Sequence, residues 1–365
     1  MMKASNMTNP VIGIVVIFRF RTSYVDQCIQ NLLKMEGGPW PLVIVPDQYV
    51  PEYDGLAIQV PRKAGISAKR NFGVNHLPPE CTHVAFIDSD AYPRVDWLVN
   101  ARARLQQADD SVAAICGPTM TPPDDSWSRK ISGHALSSTL VMGPTLSLLC
   151  RDTGPVQPVR EASTCNLIVN LETFRSVGGF DENLLTSEDI ALVYAIIDAG
   201  NQILRDPQVV VFHHRRDLLH FWLQWFNEGL ALRQRRKSKQ GYSLKICLPS
   251  VKMLAMTALA LSAFWIGTTA LLILAALQVV EFTIFFIDRI IARVPVGEAF
   301  GAALAMWGFP KAYGFGGHLS YVLSKNIYVF NRNDPPATTC VIKTAIVRRF
   351  TKEMPKLDLK ISDNA

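Results

Sequence analysis

The sequence predicts an α/β domain with a mostly parallel sheet, followed by C-terminal membrane helices. Continuous apolar, β-branched runs alternate with helix-patterned segments through the front of the chain, as strands buried on both faces of a sheet require. The run THVAFID (82–88) leads into two carboxylates, Asp88 and Asp90, placed where α/β sheets bind ligands. Residues 253–280 then carry no charged side chain, which is long enough to enter or cross a bilayer.

Composition divides the chain in the same way. Of 365 residues, 49% are hydrophobic and 19% charged, but residues 1–245 read as an ordinary globular sequence and the excess of apolar residues follows them. The net charge of +6 is modest, and its placement matters more. Arg233, Arg235, Arg236, Lys237, Lys239 and Lys245 stand just before the apolar stretch, as on the cytoplasmic side of a membrane segment. No nucleic-acid recognition motif accompanies them. Seven cysteines (28, 81, 116, 150, 165, 247, 340) are scattered without a CxxC pair, which speaks against a disulfide framework or a zinc site and for a reducing compartment. MMKASNMTNP precedes the first strand without a signal-peptide core, so the front domain is expected in the cytoplasm.

The elements follow in order. VIGIVVIF (11–18) is a buried strand. Residues 23–35 are a helix with Val25, Ile29, Leu32 and Leu33 on one face and Ser23 as its cap. PLVIVPD (41–47) and AIQV (57–60) are strands, ISAKRNFGVNHL (66–77) a helix behind Gly65, and THVAFID a further strand with a helix expected from Pro93. Residues 117–162 are rich in turn formers and read as an excursion over the site. STCNLIVN (163–170), a helix over 188–200 and the strand QVVVFHH (208–214) restore regular structure. Gly267-Thr268-Thr269 divides the apolar stretch into a two-helix hairpin of ~17–19 residues per arm, with basic residues at both ends. Residues 296–323, rich in glycine and aromatics, read as interfacial. The boundaries expected are 10–220 for the catalytic domain, 221–247 for an amphipathic interfacial segment, 248–291 for the transmembrane hairpin, and 292–365 for an interfacial segment and cytoplasmic tail.

Asp88-Ser89-Asp90 offers hard oxygen ligands that suit Mg2+ or Mn2+ bound jointly with substrate phosphates; a solvated turn is the plain alternative. Glu188-Asp189 opens a later helix, where the N-terminus itself stabilises carboxylates. His213 and His214 end a strand, one of them expected as a structural donor. His76, His83 and His134 read as surface or loop residues. In Phe18-Arg19-Phe20-Arg21, contact with a nucleotide base and plain salt bridges are both open. Phe221, Trp222, Trp225 and Phe226 form a stripe that suits interfacial helix packing, with acceptor binding second.

Thr164-Cys165-Asn166, Gly178-Gly179-Phe180-Asp181, Ser187-Glu188-Asp189 and His213-His214-Arg215-Arg216, in this order after the Asp88–Asp90 pair, resemble the family 2 glycosyltransferases. The resemblance covers roughly residues 10–245, and the apolar tail is similar to membrane-attached bacterial members. It implies the GT-A nucleotide-diphospho-sugar transferase fold and a donor site at Phe18, Arg19, Asp47, Arg62, Arg70, Asn71, Asp88 and Ser89. Asp47 matches the acid at the base, Arg70 the arginine of an Ala-Arg-Asn segment that is one residue longer here, and Asp88 the ribose contact. Asp90 matches the metal ligand, with His213 and His214 as a metal ligand or a diphosphate contact. Asp189 matches the catalytic base, supported by Glu188. Asn166, Gly178, Gly179, Phe180 and Trp225 fall on the acceptor side. Asn227 and Glu228 stand where processive synthases carry Arg-Trp in QxxRW, a departure from the processive pattern.

What this implies is an inverting, metal-dependent transferase. It would move a sugar from a nucleotide-diphospho-sugar to a lipid-linked glycan at the cytoplasmic side of the inner membrane, in cell-surface polysaccharide synthesis. A polyprenyl-phosphate glycosyltransferase is the close alternative; a nucleotide-sugar hydrolase and a non-catalytic membrane scaffold are the others.

Overall fold

The computed structural model describes residues 10–184, 187–230, 232 and 247–322. The basic cluster 233–245 and the expected tail from 323 lie outside the described residues.

The apolar runs form the expected strands: β1 (Ile12–Ile17), β2 (Leu42–Val45), β3 (Ile58–Gln59) and β4 (His83–Phe86). They are joined by helices α1 (Ser23–Leu33) and α2 (Ile66–Val74). Helix α1 is capped by Thr22, not Ser23: the Thr22 hydroxyl accepts from the Val25 amide while its backbone stays extended. The helix expected from Pro93 begins later. Residues Ala91–Pro93 form β5, and α3 runs Trp97–Gln107. Strand β6 (Val112–Cys116) follows, then β7 (Thr119–Met120).

The stretch 117–162 holds more structure than its turn formers suggest: helices α4 (Trp127–Leu136) and α5 (Thr139–Leu146) and strand β8 (Gln157–Pro158). Gly143 breaks α5 with a φ of 75° ahead of Pro144. The chain continues through β9 (Leu167–Asn170), α6 (Leu171–Ser176), α7 (Glu188–Asp198), β10 (Gln202–Arg205) and β11 (Val211–His213).

Eight strands make the main sheet in the order β3-β2-β1-β4-β9-β6-β10-β8. The pairs β1–β2, β1–β4, β2–β3 and β6–β10 are parallel. Strand β9 runs antiparallel between β4 and β6, and β8 antiparallel along β10. A small second sheet, β5-β11-β7, stands at the ligand-facing end. Alternation along β1 feeds both layers. Ile12, Ile14 and Val16 pack with α1 and α3, and Val15 packs with Val74, Phe180 and α7.

After β11, helix α8 (Leu218–Leu230) leads to four C-terminal helices: α9 (Leu248–Leu261), the short α10 (Ala263–Ile266), α11 (Thr268–Ile291) and α12 (Val296–Val322). Leu248–Ile266 and Thr268–Ile291 are 19 and 24 residues long with mean hydropathy 1.4 and 2.4. At 1.5 Å per residue these are ~28 and ~36 Å, against ~30 Å of hydrocarbon. They are apolar and long enough to cross a membrane by length and composition. The break falls at Gly267, φ 64°, and Phe264 and Trp265 beside it are 87% and 90% exposed.

Helix α12 is not a surface segment. Ala299, Ala302, Ala303, Ala305 and Met306 are fully buried, and it docks between the hairpin and the α/β domain. Phe221 and Trp222 of α8 pack on it, and Trp222 Nε1 donates to the Ala305 carbonyl at 3.1 Å. The aromatic stripe is thus a helix-packing face. Polar ties from α11 and α12 reach the domain as well. Ser138 donates to Asp288 of α11 at 2.8 Å, Arg289 of α11 donates to the His134 carbonyl at 2.8 Å, and His134 meets Glu298 of α12 at 2.8 Å. Glu281 of α11 is paired with Lys252 and with Lys311, the latter at 3.2 Å.

Glycines set how closely α8 and α12 approach. A Cβ on Gly229 would collide with the Tyr313 carbonyl, and one on Gly316 with the Phe226 carbonyl. Both obstacles are backbone, so no side-chain rotation relieves them. Gly316→Val is expected to separate the two helices at a cost of about 2–3 kcal/mol, read as a lower melting temperature of the detergent-purified chain. An unchanged melting temperature would refute the crossing.

Candidate active site

Strands β1, β2 and β4 run parallel, so their carboxyl ends open on one edge of the domain. Arg19 follows β1, Asp47 follows β2, and Asp88, Ser89 and Asp90 follow β4, with Ser89 and Asp90 in a turn. Helix α2 supplies the cations that join them. Lys69 pairs with Asp47 and donates to the Phe18 carbonyl at 2.6 Å; Arg19 lies 3.5 Å from Asp47. Burial pulls the Lys69 ammonium below its ordinary pKa, with Asp47 opposing.

Arg70 is the central residue. Its guanidinium is 3% exposed and donates to Asp88 Oδ1 at 2.9 Å and to Glu188 Oε1 at 2.8 Å. The Phe180 ring lies beneath it, 5.4 Å from the guanidinium carbon. The acid at the end of β4 and the acidic pair opening α7 thereby meet in one cleft. Ser187, just before α7, is held at φ 63°, left-handed for a residue that is not glycine. Strain of this kind persists where surrounding contacts impose it. It turns the chain so that Glu188 points inward, 3% exposed, while Asp189 stays half-buried.

On the other side of Asp88 lie His213 and Cys165. His213 Nε2 is 3.3 Å from Asp90 Oδ1, and one ligand atom each from Asp88, Cys165 and His213 lie within 4.8 Å of one another. Burial first, then the charges of Asp88 and Asp90, push the Cys165 thiol well above its usual pKa. Cys28 sits below, its Sγ 3.8 Å from the Asp88 carbonyl oxygen. Carboxylates and an imidazole at the end of a strand suit a divalent cation shared with phosphate oxygens, so the donors at Asp88, Asp90 and His213 fit Mg2+ or Mn2+.

Several residues expected at the ligand instead hold the walls. Phe18 is buried in the core, edge-on to Tyr53. Arg21 binds Asp26 and Glu52, so the salt-bridge reading holds there. Arg62 is exposed and lies over Phe72, 4.6 Å from the ring centroid. Asn71 is committed to the loop before α7: it donates to the Phe180 carbonyl and accepts from the Phe180 amide, both at 2.9 Å. Gly178 and Gly179, at φ 86° and 69°, make that turn. Phe180 faces Arg70 and the core and is 2% exposed.

Asn166 is fully engaged in the interior. It accepts from Trp97 Nε1 at 2.9 Å and donates to the carbonyls of Pro118 and Val209 at 3.1 and 2.7 Å. His214 has Asp125 at Nδ1 and Gln27 at Nε2, both 2.7 Å away, which leaves no nitrogen for a metal. Trp225 packs on Phe309 among the C-terminal helices, where its Nε1 has no hydrogen-bond partner among the described residues. Nor are all the other histidines loop residues. His83 begins β4, and burial lowers it to about 4.

Lys69, Cys165, Asp125 and Arg215 are what sequence reasoning missed as site builders. Arg215 is buried, donates to both Thr119 oxygens and lies 3.3 Å from His213 Nδ1. The signals were the adjacency of Lys69 to Arg70 and of Arg215 to the two histidines, and the place of Cys165 within Thr164-Cys165-Asn166; Asp125 carried none.

No family model matches the sequence. Over 168 residues the chain is 30% identical to a protein of Mycobacterium tuberculosis named pre-mycofactocin glycosyltransferase, found in two strains. The match takes in 45% of this chain and 33% of that one, so the chain spans about a third of the length of these relatives. Among solved structures it is similar to the mannosyltransferase PcManGT from Pyrobaculum calidifontis in complex with GDP-Man and Mn2+. There the identity is 15%, the TM-score 0.55, and the coverage 82% of this chain and 88% of that one. The fold is that of the GT-A glycosyltransferases.

The geometry puts a heavy demand on Arg70. Arg70→Met leaves Asp88 and Glu188 without their shared cation and is expected to cost about 3–5 kcal/mol near neutral pH. Chemical denaturation of the parent and variant chains at neutral pH measures the loss, and equal stabilities would refute the bridge.

Proposed function

We propose that the chain is an inverting, metal-dependent glycosyltransferase of the family 2 type that works at a membrane surface. Its donor is a nucleotide-diphospho-sugar and its acceptor a lipid-linked glycan, on the route to a cell-surface polysaccharide. The observation that carries this reading is the Arg70 bridge between Asp88 and Glu188. It brings Asp88 and Glu188, the acids that this reading assigns to the nucleotide side and the base side, into one cleft.

Each residue has a task in that reading. Arg19, Asp47 and Lys69 line the end reserved for the base, and Asp88 faces the ribose. Asp90 and His213 would hold Mg2+ or Mn2+, which would supply positive charge against the departing diphosphate. Arg70 holds Asp88 and Glu188 in place, so that neither reorganises during the reaction. Asp189 takes the proton from the acceptor hydroxyl as its oxygen bonds to the anomeric carbon. The bond from that carbon to the diphosphate oxygen breaks, and the nucleoside diphosphate leaves with the electron pair. One displacement from the opposite face inverts the anomeric centre.

The acceptor class is inferred from the two apolar helices and from α12, which fixes them to the domain. An enzyme held this way shares a thin layer with lipid-borne substrates. The basic cluster at 233–245 fits the cytoplasmic side of the inner membrane.

A screen of nucleotide-sugars with Mn2+ or Mg2+ and membrane lipid, following nucleoside diphosphate release, tests the reading. Pre-mycofactocin, which the relative's name carries, is a second acceptor for it. Metal- and acceptor-dependent release from one donor is expected; release indifferent to acceptor would mark a hydrolase instead. Asp189→Asn is expected to lower kcat by about 10²–10⁴ with donor affinity unchanged. Considerable residual turnover would point to a phosphate acceptor, which has no proton to lose.

A further inference from the structure

We propose that Asp88, Cys165 and His213 form a site for a thiophilic divalent cation, zinc or cadmium, beside the oxygen-rich position at Asp90. One ligand atom from each of the three lies within 4.8 Å of the others. A tetrahedral zinc with bonds of ~2.0–2.3 Å places its ligands ~3.3–3.7 Å apart, so the trio has to contract on binding but not rearrange.

Each member is positioned by a different part of the fold. Asp88 is held by Arg70. His213 ends β11, which pairs with β5 so that His213 stands opposite Ala91, next to the acidic turn. Cys165 is 1% exposed and lies in the helical turn Thr164–Asn166. That turn is pinned on one side by the Ser163 hydroxyl, which accepts from the Cys165 amide at 3.3 Å, and on the other by the three bonds of Asn166.

The sulfur decides the metal class. Carboxylates and phosphate oxygens suit Mg2+ and Mn2+, whereas thiolate with imidazole suits zinc and its softer congener cadmium. Three protein ligands leave the fourth tetrahedral position for water or a phosphate oxygen. Binding releases the thiol proton to the buffer. The two positions share His213, so a thiophilic ion at Cys165 takes the imidazole away from Asp90. Zinc would then compete with the cation that the transferase reading requires. The trio itself stands whether or not that reading holds, because its test needs no sugar donor.

The test is a cadmium titration of the detergent-purified full chain with Cys150, Cys247 and Cys340 replaced by Ser. The thiolate-to-cadmium absorption in the near ultraviolet is followed. One equivalent of the band is expected, abolished by Cys165→Ser and by His213→Gln, and retained in Cys28→Ser. Equimolar Zn2+ is expected to remove it, and equimolar Mn2+ to leave it. His213 is half-buried at a strand end, so His213→Gln tests the trio even where Cys165→Ser fails to fold. Absence of the band from the parent chain, its survival in either of those two variants, or its loss to Mn2+ as readily as to Zn2+ overturns the proposal.

Discussion

A single buried guanidinium holds this site together. Arg70 binds Asp88 and Glu188 at under 3 Å while only 3% exposed. A charge withdrawn from water to that degree survives only where partners replace its hydration, and here two carboxylates do so on one side while the Phe180 ring closes the other. The same bonds tie together three chain segments, α2, the end of β4 and the start of α7, alongside the Asn71 bonds to the Phe180 backbone. Asp189 inherits its place from this arrangement. Its neighbour Glu188 is tethered, the strained Ser187 sets the direction of entry, and the positive end of α7 favours the ionised form of both acids.

A second constraint joins this cleft to the C-terminal helices. From His213 the chain needs only four residues to reach Asp217, whose carboxylate accepts from the His220 amide at 3.0 Å and starts α8. Helix α8 then lies against α12 with backbones nearly touching at Gly229 and Gly316. The stretch 127–151 closes the circuit through Ser138, His134 and Arg289. The apolar hairpin is therefore mounted on the domain through several hydrogen-bonded contacts and a packed helix face. Whatever layer the hairpin occupies, the cleft keeps a fixed attitude to it.

The buried strands and their acidic ends were legible in the sequence because both depend on local pattern. Apolar runs such as VIGIVVIF and VAFI (84–87) suit strands buried on both faces of a sheet, and a carboxylate one step past such a run points to the ligand edge. The hairpin was legible for the same reason. Helices α4 and α5 were not, since Pro122, Pro123, Gly143 and Pro144 surround or interrupt them, and α4 is held by tertiary docking, Trp127 and Ile131 lying against Gly301 of α12. The segment after α5 is tied to β10 instead, where buried Arg205 donates to the carbonyls of Leu148 and Thr153 at 3.1 Å. The packing of helix α12 was not legible either. Its glycines and aromatics read as an interfacial segment, and pattern alone does not show that small residues there allow close helix contact.

Site residues divide along a similar line. A motif gives a position in the chain but not the direction of a side chain. Asp47, Asp88, Asp90 and Glu188 arrive at the cleft because strand ends and a helix start dictate it. Asn71, Asn166, Phe180 and His214 occupy motif positions too, and each turns away to hold a wall: a loop, a strand crossing, a guanidinium, an acid. Their partners explain the division. An amide or imidazole withdrawn from water satisfies its own hydrogen bonds first, and for Asn71, Asn166 and His214 the protein offered partners before any ligand did; Phe180 packs against the Arg70 guanidinium instead. Cys165 belongs to neither group. It is as buried as Asn166 beside it, yet its sulfur faces Asp88 and His213, because a thiol makes weak demands and tolerates a place that an amide would have had to fill with bonds.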